Sequence, residues 1–386
     1  MSINEGYKNP IFFVTDMEAD NQNPGGIEAY LRGLINSQKK STYDFIIIGT
    51  KQSKSLTNTS PYRFIPIMQN AKKNSIFRFT MSLFINARKI NVPSSSIINP
   101  QAIYYAFPFL IPTKKGKNVL TLHGTEINTL ENKFGKVATF LFQNTIEKFI
   151  VFRMDKIIAL NEEIKEYYLK RYPKLKDKIV VIPTAIDIDR FKPLSKKEMR
   201  HKYGFSSSDK IILFVGRFAR LKGLDLLLRS FKIVETKIPD AKLVLVGGGR
   251  KEGELRGLAK KLELTNEIFW GTVDHDAVPE IMNCADVFAL SSLSEVSPTV
   301  VKEALACGVP VVSTDVGDVH KLVKDGETGY IVKTRTEEEM SAKLIKVLLS
   351  NNDKFKENCI SMAQQYSWNS IAKKIMGVYD EVLKKE

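Results

Sequence analysis

The strongest constraint on the fold is a regular alternation between short, uninterrupted apolar runs and longer segments with helical period. Uninterrupted apolar runs are typical of strands covered on both faces, as in the parallel sheets of α/β proteins. The ten runs are IFFV (11–14), FIIIG (45–49), NVLTL (118–122), IIAL (157–160), IVVI (179–182), IILFV (211–215), LVLVG (243–247), IFW (268–270), DVFAL (286–290) and PVVS (310–313). Two groups of five runs predict an α/β protein with two doubly wound, Rossmann-like domains.

A chain of 386 residues is longer than one hydrophobic core usually serves, so two domains are expected. The join is predicted near residue 194, because Pro183 and Pro193 interrupt the pattern before a basic helix. The expected organisation is an N-terminal domain over 1–194, a C-terminal domain over 195–366 and a final amphipathic helix over 367–386 that opens at Ser367 or Asn369.

Cysteine usage and the N-terminal residues bear on localisation. Three cysteines, Cys284, Cys307 and Cys359, are widely spaced in apolar segments and predict buried thiols in a reducing compartment. The N-terminus lacks the pattern of a secretory signal, and no run reaches the roughly 18 apolar residues that span a bilayer. The expected localisation is cytoplasmic, at most peripheral on the inner face of the cell membrane.

The net charge of +15 is unevenly distributed, since residues 45–125 contain eleven Lys and Arg and no Asp or Glu. This stretch is able to attract an anionic membrane surface or acceptor, or it reflects solvated lysines in a Lys-rich composition. Within it, residues 70–90 have helical period with apolar side chains at 76, 79, 83, 84, 87 and 90. That helix either lies in a membrane interface or packs one stripe on the first sheet.

Two glutamates, Glu295 and Glu303, stand eight positions apart in the stretch SSLSEVSPTVVKEALACGVPVVST. Glu295 follows the strand DVFAL, at the edge where open α/β sheets bind ligands. Ser297 and Pro298 predict a helix cap and first turn, so that the helix spans about 298–307 and Glu303 lies about one and a half turns into it. Both carboxylates then border one crevice whose helix amides take anionic oxygens, unless both are merely solvated charges.

Two cations are predicted at the same sheet edge, in the segment LFVGRFARLKG. Arg217 follows a strand and Lys222 precedes a helix, so together they can bind a diphosphate and stabilise it as a leaving group; a solvated basic loop is the alternative. The turn LVGGG, around Gly248, allows close approach of the backbone to a nucleotide but lacks the full GxGxxG pattern.

The order of these motifs, with PGGIEAY, LHGTE, VVIPTAIDIDRF and E-x7-E followed by ACGVPVVST, resembles the retaining nucleotide-sugar glycosyltransferases of the GT-B fold, family 4. The resemblance covers about residues 11–384 and is closest in motif style to members that build exopolysaccharide and envelope glycans. It implies two domains facing a central cleft, the first binding the acceptor and the second the donor, and a terminal helix that returns to the first domain. It also implies a hexosyltransferase that uses a UDP- or GDP-sugar, a glycan or lipid-linked acceptor, no required cofactor and no metal.

The resemblance implies roles for individual residues. Arg217 and Lys222 would hold the donor diphosphate, Glu303 the ribose hydroxyls and Glu295 the transferred sugar. The remaining residues implied at the donor site are Gly25, Gly26, Gly248, Ser297, Thr299 and Val300, and His123 would face the sugar's reacting side unless it is a core histidine.

Departures from the family pattern bear on selectivity. Thr184 and Ala185 replace the usual Asn-Gly, Val296 replaces a frequent glycine, and Pro298 removes one N–H. The DID sequence at 187–189 imitates a metal motif but lies in the interdomain segment, so it is interpreted as structural.

Other function classes remain as alternatives. A nucleotide-sugar epimerase on the same fold would turn over the donor without an acceptor. A non-catalytic glycan-binding homologue should have lost one of the four charged site residues, and all four are present. A dinucleotide-dependent dehydrogenase is disfavoured because no GxGxxG follows the first strand, and nucleic-acid binding is not expected because it rests on charge alone.

Overall fold

The structure, a computed structural model of the chain, describes residues 9–18, 26–38, 42–51, 62–69, 76–87, 89–110, 116–124, 127–351 and 353–384. The chain forms two compact units, Met1–Pro183 with Ile371–Glu386, and Thr184–Ser370. Each unit contains a parallel sheet with helices, which confirms the predicted α/β class with two Rossmann-like domains.

The first unit is built on a parallel sheet whose seven described strands have the order β3-β2-β1-β4-β5-β6-β7. These strands are β1 (Ile11–Glu18), β2 (Phe45–Lys51), β3 (Arg63–Gln69), β4 (Ile97–Pro100), β5 (Lys117–Leu122), β6 (Lys156–Ala159) and β7 (Ile179–Val181). The strand order reverses between β1 and β4, the point at which open α/β sheets place their ligands.

Helices of the first unit cover the sheet with apolar stripes. They are α1 (Gly26–Ser37), α2 (Ile76–Ala87), α3 (Ile103–Leu110), α4 (Ile127–Phe142), α5 (Lys148–Arg153) and α6 (Glu162–Arg171), with a π-helical turn at Gln143–Glu147 and a 3-10 turn at Pro173–Leu175. In α2 the residues Phe79, Leu83 and Ala87 are buried against the sheet, while Met81 and Ile85 are exposed. The stripe predicted over 70–90 therefore packs inward where the structure describes it, and other side chains of α2 face solvent.

The second unit repeats the arrangement with six described parallel strands in the order β10-β9-β8-β11-β12-β13. These strands are β8 (Lys210–Val215), β9 (Ala241–Val246), β10 (Glu267–Gly271), β11 (Val287–Leu290), β12 (Val311–Thr314) and β13 (Gly329–Val332). Its order reverses between β8 and β11, so the loops that follow these two strands flank the reversal.

The helices of the second unit are α7 (Lys196–Lys202), α8 (Leu224–Lys237), α9 (Glu252–Lys261), α10 (Val278–Met282), α11 (Thr299–Ala306), α12 (Val319–Leu322), α13 (Glu337–Leu348) and α14 (Asp353–Gln364), with 3-10 turns at Arg220–Lys222 and His275–Ala277. Local signals set their ends. In α13 the Thr336 hydroxyl accepts the Glu339 N–H, while the Glu339 carboxylate accepts the N–H groups of Lys333 and Thr334. This is a reciprocal capping arrangement.

The last helix, α15 (Trp368–Lys384), packs in the first unit along most of its length. Its apolar stripe, which includes Ile371, Ile375 and Tyr379, is buried. The Tyr379 hydroxyl donates to Asn99 Oδ1 at 3.0 Å, and Glu381 pairs with Lys156 at 3.0 Å. Helix α15 is thereby held to strands β4 and β6 by polar as well as apolar contacts.

Three strands were not among the ten predicted runs: β3, β4 and β13. β3 contains Pro66 and lies at the sheet edge, where a residue without an N–H is tolerated. β4 and β13 have the sequences IINP and GYIV, in which Asn99, Pro100 and Gly329 shorten the apolar run.

The two units divide between Pro183 and Thr184, earlier in the chain than the join predicted near residue 194. Ile186 and Phe191 are buried in the core of the second unit, and the Leu194 N–H donates to Asn283. The segment after Pro183 therefore packs as part of the second unit, because its apolar side chains have their partners there.

Candidate functional site

Three loops of the second unit lie side by side at the carboxyl edge of its sheet, following the neighbouring strands β9, β8 and β11. They carry the glycine-rich turn at 247–249, the Arg217–Lys222 segment and the Glu295–Thr299 segment, respectively. The topology thus brings together the charged motifs that the sequence predicted at one edge, on both sides of the reversal in strand order.

Lys222 and Glu295 form the central contact of this edge. Lys222 Nζ donates to Glu295 Oε1 at 2.6 Å, and the Ser292 hydroxyl donates to the same oxygen at 2.6 Å. Both side chains are largely buried, with 23% and 13% of their side-chain surface exposed. Among the described residues no partner reaches Glu295 Oε2, and an ammonium has three N–H donors. The pair therefore retains one acceptor and two donors for a ligand.

Arg217 lies in the same loop as Lys222 but is exposed. Within the part of the chain that the structure describes, its guanidinium makes no hydrogen bond or ion pair. A guanidinium without a protein partner at a sheet edge is able to bind two oxygens of a phosphate in a fork-like geometry.

Glu303 is the fifth residue of α11, which begins at Thr299. Burial raises the pKa of its carboxyl to about 7, and the Arg190 guanidinium acts in the opposite direction. A carboxyl with this pKa changes between a neutral and an ionised state near neutral pH, so its capacity to accept hydrogen bonds changes there as well.

The start of α11 differs from the prediction that Ser297 caps the helix and Pro298 begins it. The cap position is Pro298 with extended backbone, the helix spans Thr299–Ala306, and no side chain bonds to the cap. The prediction of a Ser297 cap was wrong because its hydroxyl has stronger partners elsewhere. Thr299 is exposed and Val300 half-buried, and the first amides of a helix have no partner within it, so they remain available to an anionic group.

Ser297 belongs instead to a buried polar network around Lys302, which sequence reasoning missed. Lys302 is fully buried, and its Nζ donates to the Ser297 hydroxyl at 2.7 Å and to the Thr184 carbonyl and hydroxyl at 2.9 and 2.8 Å. Ser297 in turn donates to Asp318 Oδ2 at 2.7 Å. Burial lowers the pKa of Lys302 to about 8, while Asp318 acts in the opposite direction. The sequence signal that could have indicated this network is the lysine inside the apolar helix TVVKEALA.

Glycines allow the close backbone packing of these loops. Gly223 has φ 57°, and a Cβ there would lie 2.2 Å from the Ser291 carbonyl oxygen. A Cβ on Gly247 would lie 1.9 Å from the Gly216 carbonyl oxygen. Gly248 itself has no such clash, and its carbonyl accepts the Phe218 N–H at 2.8 Å. The glycine-rich turn is therefore bonded to the loop that carries Arg217.

In the first unit His123 follows β5, and its Nε2 lies 2.9 Å from Gln101 Oε1. Its ring contacts the Tyr30 ring edge-on, with centroids 5.2 Å apart, and burial lowers the pKa of His123 to about 4. Gly26 is exposed at the start of α1, whereas Gly25 lies outside the described residues. The structure thus places His123 in a polar cluster of the first unit and leaves Gly25 undescribed.

The DID sequence has structural partners. Asp187 Oδ1 accepts the N–H groups of Asp189 and Arg190, each at 3.1 Å, as in an Asx turn. In the described ranges no group of three or more His, Cys, Asp or Glu side chains is placed to hold a metal ion.

Comparisons with known families cover most of the chain. Residues 195–366 match the family described as glycosyl transferases group 1, and residues 24–190 match glycosyltransferase family 4. D-inositol 3-phosphate glycosyltransferase of Mycobacteroides abscessus is 26% identical over 243 residues, which are 61% of this chain and 54% of that protein. The chain therefore spans about half the length of that relative.

Solved structures share the fold over nearly the whole chain. Sucrose-phosphate synthase from Thermosynechococcus elongatus has a TM-score of 0.80 at 20% identity, covering 98% of this chain and all of that one. HepE of Anabaena, in complex with UDP and glucose, has a TM-score of 0.72 at 18% identity, covering 97% of this chain and all of that one. These likenesses show the GT-B architecture of two Rossmann-like domains.

Proposed function

Because the chain belongs to the glycosyltransferases, with a family 4 region at 24–190 and a group 1 region at 195–366, we propose that it is a retaining hexosyltransferase. Its donor is a nucleotide-diphosphate sugar, UDP- or GDP-linked, and its acceptor a glycan or lipid-linked sugar of cell-envelope polysaccharide synthesis. The observation that carries the proposal is the Lys222–Glu295 pair with the unpaired Arg217 at one sheet edge. The likeness to HepE of Anabaena, whose structure contains UDP and glucose, supports testing a uridine diphosphate sugar first.

The donor is assigned to the second unit and the acceptor to the first. Arg217 and the free N–H donors of Lys222 bind the diphosphate, assisted by the first amides of α11 near Thr299 and Val300. Glu303 accepts bonds from the ribose hydroxyls, and Glu295 Oε2 accepts one from the transferred sugar. The Gly248 turn allows the nucleotide to approach the backbone.

Transfer proceeds by attack from the face that the leaving group vacates. The acceptor oxygen forms its bond to the anomeric carbon as the bond from that carbon to the β-phosphate oxygen breaks, and the acceptor's proton passes to the departing phosphate oxygen. Arg217 and Lys222 stabilise the developing negative charge. Glu295, paired with Lys222, orients the sugar and balances positive charge at the anomeric carbon without bonding to it.

The charge-stabilising role is tested by Arg217→Ala and Lys222→Ala, with Arg220→Ala as a matched control. Arg220 is exposed in the same loop and has the same charge, and in the described part of the chain its side chain makes no hydrogen bond or ionic contact with the Lys222–Glu295 pair. Loss of one donor to a transition-state oxyanion costs on the order of 100-fold in turnover, so both test variants should fall to this level and the control should not. Equal activity of all three variants would contradict the assignment.

The donor is identified by thermal shift with UDP-, GDP- and ADP-sugars. A ligand that binds only the folded state raises the unfolding temperature in proportion to its saturation, so one base should stand out. Product analysis with that donor and a soluble sugar acceptor then separates transfer from epimerisation. Turnover of the donor to an epimer without acceptor would favour the epimerase alternative.

Peripheral association with an anionic membrane surface is part of the proposal, and the exposed apolar side chains of the first unit support it. Ring contacts Phe84–Phe107 and Phe107–Phe149 join α2 through α3 to α5 in one helical layer. Large apolar side chains of the first unit that face solvent are Met81 and Ile85 on α2, Val137, Phe140 and Leu141 on α4, and Ile146 on the π-helical turn. Arg78, Lys89 and Lys136 of this unit are exposed as well, although most cations of the 45–125 stretch fall outside the described residues. In the described part of the chain, no helix has the length and apolar content needed to cross a bilayer.

Vesicle sedimentation tests the membrane assignment. Phe140→Ser should reduce binding to vesicles that contain anionic lipid, whereas Leu349→Ser, which removes an equally exposed apolar side chain from the second unit, should not. Equal binding to neutral and anionic vesicles, or equal loss in both variants, would refute it.

A further inference from the structure

A buried polar cluster in the first unit surrounds the ends of β4 and β5, next to the reversal in strand order. Its members are Asn99, Gln101, Thr121, His123 and, from α15, Tyr379. All except His123 are buried. Buried amides need each donor and acceptor to be matched, so their orientations are determined by their neighbours.

The orientation of the Asn99 amide follows from the Val119 carbonyl. A backbone carbonyl only accepts, and the Asn99 side-chain nitrogen faces it. Asn99 Oδ1 must then lie on the other side, where the Tyr379 hydroxyl donates to it at 3.0 Å. A reversed amide would place two acceptors against each other.

The orientation of the Gln101 amide follows in the same way. Its nitrogen faces the Asn99 backbone carbonyl at 3.2 Å and Asn99 Oδ1 at 2.8 Å, both of which accept. Gln101 Oε1 must therefore face His123. Because this oxygen has no proton, His123 Nε2, 2.9 Å away, must donate.

This hydrogen-bond chain leaves the other ring nitrogen of His123 as the acceptor. Nδ1 has no hydrogen-bond partner among the described residues. Burial lowers the pKa of the imidazole, so the ring stays neutral at neutral pH and Nδ1 carries a lone pair.

We infer that Gln101 is a positioning residue that holds His123 as the neutral Nε2–H tautomer, so that Nδ1 accepts a hydrogen bond from a hydroxyl of the acceptor sugar. The hydroxyl contact rests on the proposed function, whereas the tautomer does not. A lone pair at Nδ1 repels the anionic oxygens of a phosphate or carboxylate, so the group that His123 meets is neutral. His123 then selects for a hydroxyl at one position of the sugar and supplies neither a proton nor a positive charge to the reaction.

Nitrogen-15 NMR of histidine-labelled protein at pH 7.5 tests the tautomer directly. The chain has four histidines, so His123→Asn identifies the signals of His123. The expected spectrum shows a protonated Nε2 and an unprotonated Nδ1. A protonated Nδ1, with or without a proton on Nε2, would overturn the inference whether or not the protein binds a nucleotide sugar.

Two variants separate positioning from general destabilisation. Gln101→Met removes the acceptor of the Nε2 proton, so the His123 signals should shift toward a mixture of tautomers. Tyr379→Phe removes one hydrogen bond from the same buried cluster without touching either residue and should leave them unchanged. Equal shifts in both variants, with unfolding temperatures equally lowered, would assign Gln101 a merely structural role and overturn the inference.

The hydroxyl contact is tested in the transfer assay by varying the concentration of the acceptor sugar, with the donor that the thermal-shift screen identifies held at saturation. His123→Asn can place an amide oxygen near the position of Nδ1, whereas His123→Leu cannot. His123→Leu should lower kcat/KM by about tenfold, the loss of one neutral hydrogen bond, and His123→Asn by less. Equal losses would overturn the hydroxyl contact. Absence of binding to any nucleotide sugar would instead refute the proposed function and leave the tautomer standing on the NMR result.

Discussion

Donor affinity should depend on the protonation of Glu303, and the dependence can be derived from its surroundings. Burial raises the pKa of Glu303 to about 7. The ionised fraction then rises from about one-tenth at pH 6 to about nine-tenths at pH 8. If the ionised carboxylate is the form that accepts the ribose hydroxyls, the Kd for a nucleotide sugar falls about tenfold over this range, or about 1.4 kcal/mol.

Isothermal titration of the protein with a nucleotide sugar at pH 6, 7 and 8 measures this dependence. A nucleotide-sugar diphosphate has no free terminal phosphate to titrate, and Glu303→Gln should bind with nearly constant affinity. Other groups near Glu303 are the Arg190 guanidinium, the Cys307 thiol, whose pKa is raised by burial, and His275, which contacts Arg190 and whose pKa is lowered by burial. A tenfold dependence that survives in Glu303→Gln, or its absence in the unchanged protein, would refute the reasoning.

The stability of the protein without ligand gives an independent check. A carboxyl whose pKa is raised on folding contributes stability that is lost as pH rises through the folded pKa, here between about 4.5 and 7. Glu303→Gln lacks this loss. Relative to the unchanged protein it should therefore gain up to about 3 kcal/mol in free energy of unfolding between pH 5 and pH 8, measured by urea denaturation.

Three further outcomes follow from the second unit. Gly223→Ala should destabilise the protein by more than about 2 kcal/mol in urea denaturation, because its φ is positive and a Cβ would lie 2.2 Å from a carbonyl oxygen. Gly257→Ala, in a helix with open space around the glycine, should stabilise the protein by up to about 1 kcal/mol. Similar effects of the two substitutions would contradict the backbone argument. Burial lowers the pKa of Lys302 to about 8. Between pH 8 and pH 10 the free energy of unfolding of the unchanged protein should therefore rise relative to that of Lys302→Met. A difference in free energy of unfolding that stays constant over this range would show that the lysine does not titrate there. Burial raises the pKa of the thiols of Cys284, Cys307 and Cys359. A thiol reagent should therefore react slowly with the folded protein and with all three cysteines after unfolding. Fast labelling of the folded protein would refute their burial.

Much of the fold was predictable because strands covered on both faces are visible as apolar runs. All ten predicted runs overlap a strand of the structure. The strands that escaped have interrupted apolar runs, with Pro66 inside β3 and Asn99 and Pro100 at the end of β4. The predicted join near residue 194 follows the prolines, which mark breaks in secondary structure, whereas the compact units divide after Pro183 because Ile186 and Phe191 are buried in the core of the second unit.

The candidate site was predictable in its charged residues but not in their partners. Lys222 and Glu295 stand far apart in sequence, and only the order of β8 and β11 in the sheet brings them into contact. Ser297 had the local pattern of a helix cap, yet the buried ammonium of Lys302 and the Asp318 carboxylate are stronger partners for its hydroxyl. A local rule fails here because the competing groups come from other parts of the chain.

Local periodicity and spacing in the sequence were enough to locate ten of the described strands and the charged residues that follow them. The tertiary structure decided which of those charges meet, which are buried and in what protonation state. The pKa values of Glu303 and Lys302 and the tautomer of His123 depend on desolvation and on hydrogen bonds to residues distant in sequence. These properties arise only when the sheets place their strand ends side by side.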